Sequence, residues 1–407
     1  MEISQINAGD TAWVLVSTAL VLLMTPALGF FYGGMVRRKN VLGILMQCMS
    51  CLAVISVLWG IYGYSLAFSK GNSLFGGFEW VFLKGVGAAP NPDYAPTIPH
   101  AAFMIFQCMF AVITPAVIVG SYAERVKFSG FLLFTVLWLT LVYCAVAHMA
   151  WGVDGLFHTM GILDFAGGTV VEINCGIAGL VTAVYLGRRH GINHPSLHNI
   201  PFVVLGAALL WFGWLGFNAG SALACNAVAV NAFVTTNAAA SAAAVSWATI
   251  EWKLTGKPTI FGTITGAVAG LVAITPAAGF VDFSGALIIG FVVSAISYFF
   301  VGTIKQRFSY DDSLDAFGVH AVGGFWGILA TGMLATKLVN PSAVNGSLKQ
   351  VGIQLTCALI TISYCAVMTW IICIVVDKTI GMRISREEEV MGLDLSEHHE
   401  RAYTILD

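Results

Sequence analysis

Two ionisable side chains, Glu172 and His320, stand inside strongly apolar, glycine-rich stretches of the chain. Glycines follow both at matching offsets: Gly176 and Gly179 after Glu172, Gly324 and Gly327 after His320. An aspartate precedes each, Asp164 and Asp315. A carboxylate accepts hydrogen bonds, whereas an imidazole both donates and accepts them. Facing each other in an apolar setting, the two could hold or pass a proton. They could also simply pin two helices in register, although Ser, Thr or Asn is the usual choice for that task. Two ligands do not make a zinc or iron site, so no metal is expected at the pair.

A second set of residues suits a small cation. Phe110 lies in an apolar stretch as Phe106-Gln107-Cys108-Met109-Phe110, and Trp151 closes another. Trp214, Phe217 and Ser221 share the run Trp214-Leu215-Gly216-Phe217-Asn218-Ala219-Gly220-Ser221. Aromatic faces attract a cation without a countercharge. A hydroxyl such as that of Ser221 accepts a hydrogen bond, which ammonium can donate and potassium cannot. Each aromatic taken alone also fits an interfacial belt or ordinary packing. Asp164 reads first as a cap for the helix that begins after it, with its charge an added attraction for a cation; Asp315 reads the same way.

The elements that hold these residues are membrane spans. The chain is 58% hydrophobic and 10% charged, with a mean hydropathy of +0.84. A soluble domain carries about 25% charge. The net charge of -2 gives no basic balance toward nucleic acid. A span needs about 20 apolar residues, and eleven stretches qualify: 11–35, 41–67, 100–122, 129–150, 165–187, 200–219, 226–252, 260–279, 283–304, 315–336 and 351–376. The first eleven residues hold Glu2 and Asp10 and no Lys or Arg, unlike a cleaved signal. Arg37-Arg38-Lys39 follows the first stretch and sets the N-terminus outside. With that orientation only Lys70, Lys84, Lys337 and Lys349 of the 19 basic residues miss the cytoplasmic side, which supports eleven spans and an internal C-terminus.

Glu172 falls in the fifth stretch and His320 in the tenth. Five spans per copy is an odd number, so a second copy would run upside down. The expected fold is an all-α polytopic membrane protein with two inverted five-helix repeats plus one extra helix, and its site near the midplane. At a rise of 1.5 Å per residue Glu172 lies about 10 Å below its helix end. Residues 1–381 would form the transmembrane domain and 382–407 a charged cytoplasmic tail.

Other motifs carry bland expectations. Cys48 and Cys51 form a CxxC inside a span and read as packing. His190, His194 and His198 are spaced by four, but Gly191, Asn193 and Pro195 argue against one helical face. Glu124-Arg125 and Glu251-Trp252-Lys253 read as ion pairs at helix ends. Glu397-His398-His399-Glu400 reads as a solvated face.

Taken together the motifs resemble the ammonium transporter (Amt/Mep/Rh) family, in its bacterial Amt branch. The matching segments are Phe31-Tyr32-Gly33-Gly34, Ala123-Glu124-Arg125, Ala147-His148-Met149 with Trp151, Asp164-Phe165-Ala166-Gly167-Gly168, the run from Trp214 to Ser221, Phe317-Gly318-Val319-His320 and Gly392-Leu393-Asp394. The resemblance implies a homotrimer with one pore per subunit in the inner membrane. It implies an outer ammonium site at Trp151, Phe110 and Ser221, structurally supported by Asp164. A gate at Phe110 and Phe217 follows, then a pore lined by Trp214. It further implies a tail that meets PII-type signal proteins, and no cofactor. Most members carry two histidines in mid-pore; here the first position is Glu172. The expected activity is ammonium or ammonia transport, with deprotonation before or during passage. The alternative is an ammonium sensor signalling through its tail and a partner. No nucleophile accompanies His320, which leaves an intramembrane enzyme without support.

Overall fold

The computed structural model describes residues 6–191 and 197–403. It is helical, with three isolated β-bridges and no strands among the described residues. Eleven helices follow the apolar stretches: α1 (Ala8–Met35), α2 (Arg38–Phe68), α3 (His100–Tyr122), α4 (Phe128–Trp151, after which a short separate turn of helix covers Leu156–Met160), α5 (Gly168–Leu186), α6 (Ile200–Gly220), α7 (Ala227–Thr255), α8 (Ile260–Ile274), α9 (Phe283–Phe308), α10 (Phe317–Leu334) and α11 (Leu348–Thr379). Short helices α12 (Arg386–Met391) and α13 (Leu393–Ser396) belong to the tail. Ten of the eleven are long and apolar enough to cross a membrane, and the chain is a multi-pass membrane protein.

Local chemistry fixes the helix starts. Asn7, Asn199, Asn226, Thr259, Asp282 and Ser347 each accept a bond from a backbone N–H three residues on. These caps satisfy donors that the helix cannot. α8 corrects the expected stretch 260–279: its helix stops at Ile274, and 275–280 form turns. Pro276 lacks the N–H that would continue the ladder. Its ring instead packs against the start of α5, where a Cβ on Gly168 would lie 2.6 Å from it. The fifth element also starts later than expected, at Gly168, after a loop.

Glycines set how the helices cross. Down α6, Gly206, Gly213, Gly216 and Gly220 meet Phe31, Met24, Leu20 and Ser17 of α1. The rising numbers on one helix against falling numbers on the other make the pair antiparallel. α5 and α10 also cross antiparallel: Gly176 abuts Ala321, and Gly324 abuts Glu172. Corresponding helices of the two halves therefore run in opposite directions, as inverted repeats require. α3 is the most buried span, with 89% of its window covered, and stands in the centre beside α1, α2 and α5. The N-terminus meets the 68–99 loop through Asn7 N–H to Thr97 O at 2.8 Å. This end is the loop face below; the opposite end, where 382–403 dock, is the tail face.

Candidate functional site

The pair forms. His320 Nδ1 and Glu172 Oε2 lie 2.7 Å apart, and the residues are 6% and 1% exposed. Close backbone approach makes this possible. A Cβ on Gly176 would sit 2.2 Å from Ala321 N, and one on Gly324 would sit 2.6 Å from Glu172 Cβ. Both residues also stand in π-helical turns, Gly168–Ile173 and Phe317–Ala321. Glu172 N–H bonds Gly167 O at 3.0 Å, five residues back, and Val322 N–H reaches Phe317 O over the same separation. A π turn inserts a residue and re-aims the side chains around it. Hydropathy gave no sign of these turns.

Asp164 caps α5. Its Oδ1 accepts from Gly167 N at 2.9 Å and Gly168 N at 2.6 Å. Its Oδ2 accepts from Thr169 N at 2.8 Å and Thr169 Oγ1 at 2.5 Å. Its backbone oxygen accepts from Trp151 Nε1 at 3.0 Å, which fixes that indole. On α10 the cap is not Asp315. Asp312 Oδ2 accepts from Phe317 N at 2.8 Å, whereas Asp315 pairs with Lys305 at 2.5 Å. Asp315 itself takes a left-handed backbone, φ 62°, and so lies outside the helix. The signal was available: Asp164 and Asp312 both precede their pair residue by eight positions.

The aromatics assemble above the pair, toward the loop face. Phe110 and Phe217 stack with centroids 4.2 Å apart at 36°, and both are 1% exposed. Trp151 meets Phe110 edge-on at 5.9 Å. Ser221 Oγ donates to Phe217 O at 2.9 Å, which places the hydroxyl at the end of α6. Trp214 packs on Phe217 at 5.6 Å and donates Nε1 to Thr275 Oγ1 at 2.8 Å. A cavity begins under the phenylalanines. Phe217, Trp214, Leu28, Val117, Val171, Glu172 and His320 are among its walls, and only the pair is ionisable there. A second cavity starts on the other side of His320 and runs by Tyr32, Val319 and Thr265 to Asp315. Phe31, Val268 and His320 line both and divide them. Stacked aromatics, apolar cavity, acid–imidazole pair and second cavity thus follow one another through the molecule.

The amino-acid sequence matches the Ammonium Transporter Family over residues 12–403. The chain belongs to the ammonium transporter family. It is 48% identical to an ammonium transporter of Bacillus subtilis, with 97% of this chain and 98% of the relative aligned. It is 45% identical to the ammonium transporter Amt1 of Archaeoglobus fulgidus, over 97% and 99%. The crystal structure of Saccharomyces cerevisiae Mep2 superposes with a TM-score of 0.89 at 35% identity, covering 94% and 89%. A structure described as a sensor Amt protein superposes at 0.90 with 29% identity, covering 98% and 100%. For a member of this family, the all-helical multi-span fold read from hydropathy is the expected one.

Further features of this ammonium transporter family member extend the sequence reading: Glu124 and Arg125 do form ion pairs at helix ends, but within a larger network, and Cys175 is an addition. Cys175 lies beside the pair without lining either cavity: one donor atom each of Glu172, Cys175 and His320 lie within 4.8 Å of one another. Its spacing of three from Glu172 was the available hint, since such residues share a helix face. On the tail face Glu124 is 1% exposed and accepts from Arg37 N, Arg37 Nε, Asn40 Nδ2 and Arg189 Nη1. Arg189 and the buried Arg125 both hold Asp311. Burial pushes the Glu124 carboxyl up, but Arg189 and Arg37 outweigh that and hold it below its ordinary value. Burial likewise raises Asp311, yet Arg189 and Arg125 bring it down to about 2.

The tail completes this collar. Asp394 Oδ1 accepts from Gly43 N at 2.9 Å, and Asn40 Oδ1 from Leu393 N at 2.8 Å. Glu389 takes His190 N at 2.6 Å and Arg383 at 3.1 Å. Two expectations need correction. Glu397 is not simply solvated: it accepts from Phe128 N at 2.8 Å, and His398 rests edge-on against that phenylalanine. Glu251 bonds the amide and hydroxyl of Thr259 rather than a cation. His198 is engaged by Val36 O and the Tyr403 hydroxyl; His194 lies outside the described residues. Cys48 and Cys51 are buried free thiols.

Proposed function

We propose that this chain conducts ammonium as ammonia plus a separately handled proton. Ammonium is recruited at the loop face by Trp151, Phe110 and Ser221. The Ser221 hydroxyl spends its own proton on Phe217 O, so its oxygen is free to accept from ammonium. Asp164 contributes by orienting Trp151 rather than by touching substrate, because its carboxylate already serves the start of α5. The phenylalanines Phe110 and Phe217 are the gate. Ammonium entering the apolar cavity would lose hydration worth several kcal/mol or more, whereas neutral ammonia enters cheaply. Trp214 lines that cavity, and Glu172 and His320 receive or pass the proton below it. The single observation that carries this reading is the apolar cavity running from the Phe217 ring to the Glu172–His320 pair.

The positive-inside pattern supports a loop face outside the inner membrane and a tail face in the cytoplasm. Residues 382–407 then form a regulatory tail, available to a PII-type partner. The family resemblance supports a homotrimer. The test is an ammonium pulse on proteoliposomes, recording current and internal pH. Flux that depends on Ser221 and Glu172 supports the proposal; absence of flux and current with retained ammonium binding overturns it.

A second reading has one observation in its favour, the likeness to the sensor Amt structure. There the same recruitment site would report through the tail collar with little flux. The same assay separates the two, since a sensor binds ammonium and passes none.

A further inference from the structure

Cys175 has no part in the conduction path proposed above. It is fully buried, and its sulfur lies 3.4 Å from Glu172 O, one helical turn back. With Glu172 and His320 it supplies a sulfur, a carboxylate oxygen and an imidazole nitrogen, all within 4.8 Å of one another. Sulfur, nitrogen and oxygen donors in threes are what a four-coordinate zinc ion takes when one position stays open. The pair of donors at 2.7 Å would have to part slightly and the thiol close in, because tetrahedral bonds of about 2.0–2.3 Å set donors well over 3 Å apart. His320 lines a cavity on each of two sides, and Glu172 lines the first of them.

We propose that Glu172, Cys175 and His320 form a trap for a thiophilic divalent cation of the zinc type, which plugs the pore. Charge balance makes the trap compatible with a buried site. Without metal, the neutral thiol and the acid–imidazole pair sharing one proton carry no net charge. With metal, thiolate and carboxylate offset the two charges of the ion, and the imidazole is neutral. One divalent ion therefore replaces two protons, the thiol proton and the shared one, and both leave to solvent. The low-dielectric surroundings meet no new net charge, in contrast to a lone cation placed there. The tail-face cavity, walled by Thr265 and Asp315 before it reaches His320, is the polar approach.

The plugging arm rests on the conduction reading; the binding arm does not. Zinc titrated into the purified full-length protein should bind at one ion per chain, releasing two protons. Affinity should then climb about 100-fold per pH unit where both groups are protonated. Cobalt should give a thiolate-to-metal absorption band. Cys175→Ala should remove that band and weaken binding by more than about 100-fold, exceeding what loss of an outer-shell partner costs. Its own ammonium flux should stay unchanged and become insensitive to zinc, while wild-type flux is blocked. Cys175→Ser gives a second variant of near-equal volume, and Cys225→Ser, at the one exposed cysteine among those described, should behave as wild type. Unchanged zinc stoichiometry and proton release in Cys175→Ala and Cys175→Ser, or loss of binding in Cys225→Ser, overturns the trap. Binding with two-proton release in a protein that passes no ammonia leaves the trap standing and removes the conduction reading.

Discussion

At the scale of single residues, the acid at 172 is the point on which proton handling turns. Glu172→Gln keeps a hydrogen-bonding side chain of the same size but cannot take up a proton. Ammonium-driven current should fall about 100-fold, the low end for loss of an acid–base group, while ammonium affinity at the outer site holds. Glu172→His should restore flux with an altered pH profile; an unchanged profile and selectivity would reduce Glu172 to a register pin. Ser221→Ala removes an acceptor for a charged donor, an interaction worth about 1.5–3 kcal/mol. Apparent ammonium affinity should weaken roughly tenfold to a hundredfold, read from the concentration dependence of current. Equal affinity in the variant refutes the recruitment role.

At the scale of elements, the crossing of α5 and α10 decides whether the pair meets at all. A methyl group on Gly176 would lie 2.2 Å from a backbone nitrogen of α10, where nothing can rotate away. Gly176→Ala should spread the two helices, lowering melting temperature in detergent and abolishing flux together. Gly352→Ala on α11, where a Cβ meets nothing within 4 Å, is the matched control and should leave both unchanged. The hydropathy pattern located these helices to within a few residues, because burial in a bilayer demands long apolar runs. It missed the stop at Pro276, the late start at Gly168 and the π turns. Those depend on where one missing N–H or one extra residue is accommodated by neighbours. Asp315 is nearer to the start of α10 in the chain, but Asp312 is the cap and shares with Asp164 the eight-residue offset from its pair residue.

At the scale of the whole molecule, the tail-face collar joins four loops and the tail through buried charge. Glu124→Gln leaves Arg37 and Arg189 sharing a neutral amide in a buried network. Breaking a buried pair in this way costs about 3–5 kcal/mol, and thermal unfolding with tail proteolysis should report it. Acid gives a second check. Asp311 has a folded value of about 2 against an ordinary 3.8, so its contribution is full above about pH 4 and disappears as pH falls toward 2. The Arg125–Asp311–Arg189 contacts should therefore hold at pH 5 and be lost as pH approaches 2. In thermal unfolding Asp311→Asn should be less stable than wild type at pH 5 and no different near pH 2; equal stability at pH 5 would exclude the contribution.

The sequence alone determined that this is a multi-span helical membrane protein, that its halves repeat upside down, and that Glu172 and His320 belong together. Composition, charge placement and matched glycine offsets are one-dimensional quantities that survive folding, so they can be read directly. Only the tertiary structure decided the 2.7 Å contact of the pair, the approach of Cys175, the choice of Asp312 over Asp315 and the docking of Glu389, Asp394 and Glu397. The contact of the pair and the docking of the tail join segments distant in the chain, set by which glycine faces which backbone and where a helix gains a residue. The Asp312 cap and the approach of Cys175 had local hints in their spacing, which became decisive only in the folded chain.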